Sequence, residues 1–101
     1  MIATAPQTWA THRLRGDLNL TTVPGVFAGV REALARGGGL VVDLADVERT
    51  DSAGLALLVA CVREAGARGA SIRLRNLPDD MLKIARVTGL DTVLAPFQTE
   101  S

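Results

Sequence analysis

The chain has little of what most small functional sites are built from. It holds one cysteine, Cys61, and one histidine, His12. A lone cysteine cannot close an internal disulfide, and small secreted domains usually depend on such links, so a reducing compartment is expected. One histidine and one cysteine cannot assemble a zinc site, and no calcium-loop spacing is present. Charge of one sign is also missing, because eleven basic residues balance eleven acidic ones. Net neutrality gives no general attraction to nucleic acid or to an anionic membrane. Arg63, Arg68, Arg73 and Arg75 are nevertheless close enough in sequence to leave a local basic patch open. No apolar run approaches the roughly 20 residues of a membrane span. The first residues, Met-Ile-Ala-Thr-Ala-Pro-Gln, have neither the basic nor the apolar segment of a signal peptide. A cytoplasmic protein without direct membrane insertion is therefore expected, and any membrane link would run through a partner.

What is present suits one compact domain over residues 1–101, with 48% apolar residues to fill a core. Residues 8–20 alternate loosely and read as two short strands or one bent strand, with Gly16-Asp17 at the bend. Thr21 or Thr22 can cap a helix and Pro24 suits its first turn. Val23, Val26, Phe27, Val30, Ala33 and Leu34 follow at helical spacing, and Gly37-Gly38-Gly39 stops the helix. Residues 40–44 are a β-rich run expected as a central strand. Residues 46–51 read as a turn into a second helix over 53–68, closed by Gly69. Residues 71–75 alternate again, with Ile72 and Leu74 opposite Arg73 and Arg75. A third helix begins near residues 76–78, carries Asp79 and Asp80 at its positive end and precedes Gly89. Thr92-Val93-Leu94 is compatible with a final short strand. The order, about ββαβαβα(β), predicts an α/β fold with a single small mixed sheet and packed helices.

Catalytic patterns fail on chemistry. Thr50-Asp51-Ser52-Ala53-Gly54 has threonine where a nucleophile elbow needs glycine, and His12 would be the only base. The glycine triplet precedes a strand and lacks the Gly-Lys-Ser/Thr ending of a phosphate loop. No enzyme activity and no cofactor are expected.

The informative segment is Val41 onward to Leu58. A buried strand delivers the chain to a polar turn that sets Ser52 at a helix N-terminus. Free N–H groups and the helix dipole would stabilise a phosphate there, whereas Asp51 would repel one. Asp51 or Ser52 can equally be a plain helix cap. Gly54 would allow another backbone to approach closely. On a helical projection Leu55, Leu58, Val59 and Val62 share one face, read as the core stripe. Ala53, Ala56, Leu57 and Ala60 fall opposite, so the first two turns are apolar all round. Such a helix is either covered by its own domain or kept for a partner.

Asp43-Leu44, Val47 and then Asp51-Ser52-Ala53-Gly54-Leu55 resemble the signature of STAS domains. These occur in anti-sigma factor antagonists, in sulfate transporter tails and in a bacterial lipid-transport complex. The resemblance covers about residues 14–94, and Gly69-Ala70-Ser71-Ile72-Arg73-Leu74, Ala85 and Thr88-Gly89-Leu90-Asp91 extend it. It implies the anti-sigma factor antagonist-like fold and a protein-binding role. Gly54-Leu55-Ala56-Leu57-Leu58 is closer to the MlaB-type version, because Ala53 stands where antagonists have serine or threonine. The short stretch after Leu94 points the same way.

The MlaB-type resemblance implies an accessory subunit that binds the ATPase of a Mla-type ABC transporter within an inner-membrane complex. It would regulate phospholipid movement between Gram-negative membranes, and so outer-membrane lipid asymmetry. Ser52, Ala53, Gly54, Ala56 and Leu57 would then lie at the partner face. The domain would be cytoplasmic and held peripherally at the inner membrane. The antagonist resemblance implies instead that an anti-sigma factor kinase is the partner and that phosphorylation at Ser52 switches binding.

Overall fold

The structure is a computed structural model that describes residues 8–99. Three strands and the helices between them alternate along the chain. They are β1 (Trp9–Leu18), α1 (Val23–Ala35), β2 (Gly39–Thr50), α2 (Ser52–Arg68), β3 (Ser71–Arg75), α3 (Asp79–Thr88) and α4 (Asp91–Leu94), followed by a 3-10 turn at Ala95–Phe97. The sheet order is β1-β2-β3, and both pairings are parallel. Parallel neighbours need a crossover, which α1 and α2 supply in turn.

The alternation of side chains decides which face of the sheet is covered. Leu14 and Leu18 of β1, Leu40, Val42 and Leu44 of β2, and Ile72 and Leu74 of β3 share one core. The helices add Val30, Leu34, Leu55, Leu57, Leu58, Cys61, Ala65, Met81 and Ala85 to that same cluster, and α4 adds Leu94. The odd-numbered residues of β1 and β3 contribute nothing to it. The molecule is thus a two-layer α/β arrangement with its helices stacked on one side of the sheet.

Three local departures from the sequence reading have physical causes. Residues 9–18 form the bent strand of the two alternatives and not the two strands of the expected order, because the bend is absorbed as register shifts between Arg13 and Arg15 and between Gly16 and Leu18. Gly16 takes φ +74° there, a conformation natural to glycine. With one strand in place of two, every pairing is parallel, and the expected mixed sheet becomes a parallel one among the described residues. The expected turn at 46–51 is mostly a continuation of β2, whose Asp46, Val47 and Thr50 pair with Arg15, Gly16 and Leu18. Residues 92–94 are helical, not extended. Gly89 ends α3 at φ +78°, the Thr92 hydroxyl donates to the Gly89 carbonyl, and the short α4 drops Leu94 into the core.

The start of α1 also differs in detail. Asn19 organises it, accepting at Oδ1 from the backbone N–H groups of Thr21 and Thr22. The Thr22 side chain makes no cap bond to the helix and donates instead to the Asp17 carbonyl.

Candidate partner-binding site

The site is built where β2 hands over to α2. Asp51 is the N-cap, in an extended conformation, and its carboxylate accepts from the Ala53 N–H at 2.8 Å. A capping carboxylate of this kind satisfies one of the orphan donors of the first turn. Ser52 is the first helical residue and is exposed. It follows directly on Asp51, whose carboxylate caps the same turn. Any phosphate added to Ser52 would meet that negative charge and find the Ala53 donor already engaged.

Gly54 is buried, and the reason is internal. A Cβ there would collide with the Thr50 hydroxyl and press on Leu18 Cβ at 3.1 Å and Met81 Cε at 3.3 Å. Gly54 therefore lets α2 start tightly against β1, β2 and α3. The close approach read from the sequence is made by the chain's own residues.

The phase of α2 differs from the sequence projection. Gly54, Leu55, Leu57, Leu58, Cys61 and Ala65 are its buried residues. Leu57 is 1% exposed. It was expected on the outward face, and that expectation is corrected: it is as much core as Leu58. Val59 and Val62, expected in the core stripe, are only half-buried. The true core stripe is rotated by roughly a quarter turn from the projected one.

The outward face runs through Ser52, Ala56, Val59, Ala60, Arg63 and Ala67. Of the sequence-derived site residues, Ser52 and Ala56 are exposed and Ala53 is half-buried, whereas Gly54 and Leu57 face inward. Against this face lies a shallow, mainly apolar groove of about 520 Å³, closed on one side by Leu90 at the α3–α4 junction. Val59, Arg63, Ala67 and Leu90 were missing from the sequence-derived set. The charges of Arg63 and Glu64 were the signal that could have found them, since they mark the solvent side of an otherwise apolar helix.

Beneath the site the three strands are tied by charge. Asp43 is 2% exposed. It accepts from the Ala45 N–H at 2.9 Å, Asn76 Nδ2 at 3.0 Å and Arg75 at 3.0 Å, with Arg13 at 3.8 Å. Arg13 also lies 3.7 Å from Asp46. The Asn76 amide most of all, then the Ala45 N–H and the Arg75 guanidinium, outweigh burial and lower the Asp43 carboxyl from the usual 3.8 to about 2.

Burial, with Glu64 adding to it, pushes the Cys61 thiol up to about 12, so thiolate is scarce at neutral pH. His12 packs against Gly29 of α1, and no hydrogen bond among the described residues joins it to Ser52. No helix among those residues is long and apolar enough to cross a membrane.

Comparison with known proteins agrees with this geometry. Residues 8–96 match a family model described as the MlaB STAS domain. The anti-sigma-B factor antagonist of Bacillus subtilis (strain 168) is 25% identical over 81 residues, which is 80% of this chain and 74% of that protein. Among solved structures, unphosphorylated SpoIIAA, an anti-sigma factor antagonist, superposes with a TM-score of 0.69 at 20% identity, covering 100% of this chain and 86% of that one. An anti-sigma factor antagonist from Mycobacterium paratuberculosis gives 0.73 at 21% identity, over 92% and 80% of the two chains. A sulfate transporter family protein from Wolinella succinogenes gives 0.72 at 14%, over 95% and 80%. With the fold, the Asp51-Ser52 helix start and the family match in agreement, this chain belongs to the STAS domain family.

Proposed function

We propose that the chain is a non-catalytic STAS subunit that docks the outward face of α2 on the ATPase of a Mla-type ABC transporter, and thereby regulates phospholipid transport. The observation that carries this reading is the family match over residues 8–96, whose description names MlaB. The geometry supports it in a second way. Ser52, Ala53 and Ala56 begin a face that continues over Val59 and Ala60 into the groove beside Leu90. Small side chains there let a partner's backbone approach closely while Arg63 and Glu64 supply polar contacts at the rim. Gly54 and Leu57 act from behind, by holding the helix in place. The ATP site, the membrane link and the transport activity belong to the partner complex in this reading.

A second reading is favoured by the likeness to the Bacillus subtilis antagonist and by the exposed Ser52 next to Asp51. In it the same face binds an anti-sigma factor kinase, and a phosphate on Ser52 breaks the contact by charge.

One experiment separates them. The chain, tagged and isolated from its native cells, is analysed by mass spectrometry for co-purifying proteins and for phosphate on Ser52. The transport reading expects an ABC ATPase and unmodified Ser52. Recovery of an anti-sigma kinase with phosphorylated Ser52 would overturn it in favour of the second reading.

A further inference from the structure

The core accounts for most of the large apolar side chains, but Leu20 and Val87 stand outside it at 84% and 88% exposure. A single exposed leucine is ordinary on a protein surface. Leu20 differs in where it stands and in how it is held.

Leu20 lies in the turn between β1 and α1, beside the start of α2. Leu18, the last residue of β1, pairs with Thr50, the last residue of β2. Leu18 Cβ comes within 3.1 Å of the place that a Cβ on Gly54 would take. Leu20 follows Leu18 by the same two residues by which Ser52 follows Thr50. The turn and the Asp51-Ser52 helix start are therefore neighbours at the carboxyl ends of parallel strands, the end at which open α/β sheets place their binding sites. Val87 lacks this setting. Met81 is the α3 residue that reaches Gly54, and Val87 stands roughly 9 Å further along that helix.

The turn is also stiff. Asn19 Oδ1 accepts from the N–H groups of Thr21 at 2.9 Å and Thr22 at 3.1 Å. The Thr22 hydroxyl accepts from the Asn19 N–H at 3.0 Å and donates to the Asp17 carbonyl at 2.8 Å. The Asn19 carbonyl accepts from the Val23 N–H at 2.9 Å. These bonds fix the backbone on both sides of Leu20 while its side chain faces water. A side chain held this way loses little backbone freedom when a partner buries it. Residues 1–7 do not reach it, because β1 is about 30 Å long and seven extended residues span about 25 Å. Residues 100 and 101 follow Thr99, which is bonded to the Leu74 carbonyl of β3 at the other edge of the sheet.

We propose that Leu20 is the apolar anchor of the docking surface that begins at Ser52, and that it fills an apolar pocket on the transporter ATPase. The inference rests on the transport reading and adds the large side chain that the start of α2 lacks. Ser52, Ala53 and Ala56 allow close approach but bury little area. Asp17, Arg49 and Asp51 adjoin the Leu18–Thr50 pair and are exposed, so the anchor has a polar rim of both signs.

The test is the affinity of the purified intact chain for the purified ATPase, with Leu20→Ser, Leu20→Met and Val87→Ser beside the wild type and a thermal melt of each. Leu20→Ser should bind about tenfold more weakly or worse at an unchanged midpoint, since a buried leucine is worth at least that factor. Leu20→Met and Val87→Ser should stay within roughly threefold of the wild type, because methionine keeps the apolar volume and Val87 is outside the contact. Full binding by Leu20→Ser while Ala56→Glu loses it would overturn the anchor and leave the transport reading standing. An equal loss in Val87→Ser, or a dimer of the chain that Leu20→Ser dissolves, would overturn the anchor as well, the second by showing that another copy fills the place. Absence of wild-type binding to the ATPase would instead sink the transport reading, and the partner named here with it.

Discussion

Leu57 and Leu58 are neighbours on α2, and both are core residues, at 1% and 0% exposure. Each contributes about 2 kcal/mol of burial. A glutamate at either place would bury an unpaired charge at a cost of several kcal/mol, against a small domain's modest margin. Leu57→Glu and Leu58→Glu are both expected to unfold the protein, as followed by circular dichroism and thermal melts. A folded Leu57→Glu variant would contradict the placement of α2. Gly54→Ala is a milder test of the same junction. The new methyl would force Thr50 to turn and would press on Leu18 and Met81, at a cost of about 1–3 kcal/mol. The thermal midpoint should fall, whereas Ser52→Ala should leave it nearly unchanged, because Asp51 is the residue that caps the helix.

At the scale of elements, the start of β2 and the limits of α2 were close to legible. The β-rich run from Leu40 and the Asp51-Ser52 cap carry local signals strong enough to place them. The phase of α2 was not legible from apolar residues, because its first turns are apolar on every side and no stripe stands out. Arg63 on the outward side, with Cys61 and Ala65 on the inward one, fixes it once that charge is taken as the marker. Residues 8–20 were read as two short strands or one bent strand because a bend and a strand break look alike in sequence; pairing to β2 decides for the bent one. The charge row Arg13–Asp43–Arg75 was legible as residues but not as a row, since register exists only in the sheet.

That row makes a prediction about acid. The folded Asp43 carboxyl titrates at about 2 and the unfolded one near 3.8. The unfolded state therefore takes up a proton first as pH falls. The stabilisation, about 2 kcal/mol, is complete above the unfolded value and disappears as pH drops through the folded one. Denaturant titrations should show Asp43→Asn destabilised at pH 7, with the gap to the wild type narrowing between about pH 4 and pH 2. A gap that stays constant across this range would remove the charge row as a stabilising element.

For the molecule as a whole, the stacking of the described helices on one side of a sheet whose described pairings are parallel leaves two surfaces with different chemistry. The outer face of α2 is small, apolar and rimmed by charge. The far side of the sheet carries the charge row Arg13–Asp43–Arg75. The STAS fold supplies the scaffold for both, and the fold alone does not choose the partner. The central claim concerns the first surface. Ala56 is exposed and Ala60 half-buried beside the groove, so a glutamate at either position should leave the isolated domain folded. In a tight contact the same charge would lose its water without gaining a partner. The most direct measurement is the affinity of purified wild type, Ala56→Glu and Ala60→Glu for the transporter ATPase, each with its thermal midpoint. Wild-type binding that falls at least a hundredfold in both variants, at midpoints within a few degrees of the wild type, is the predicted result. Undiminished binding by both folded variants would show that the partner sits elsewhere and would contradict the account.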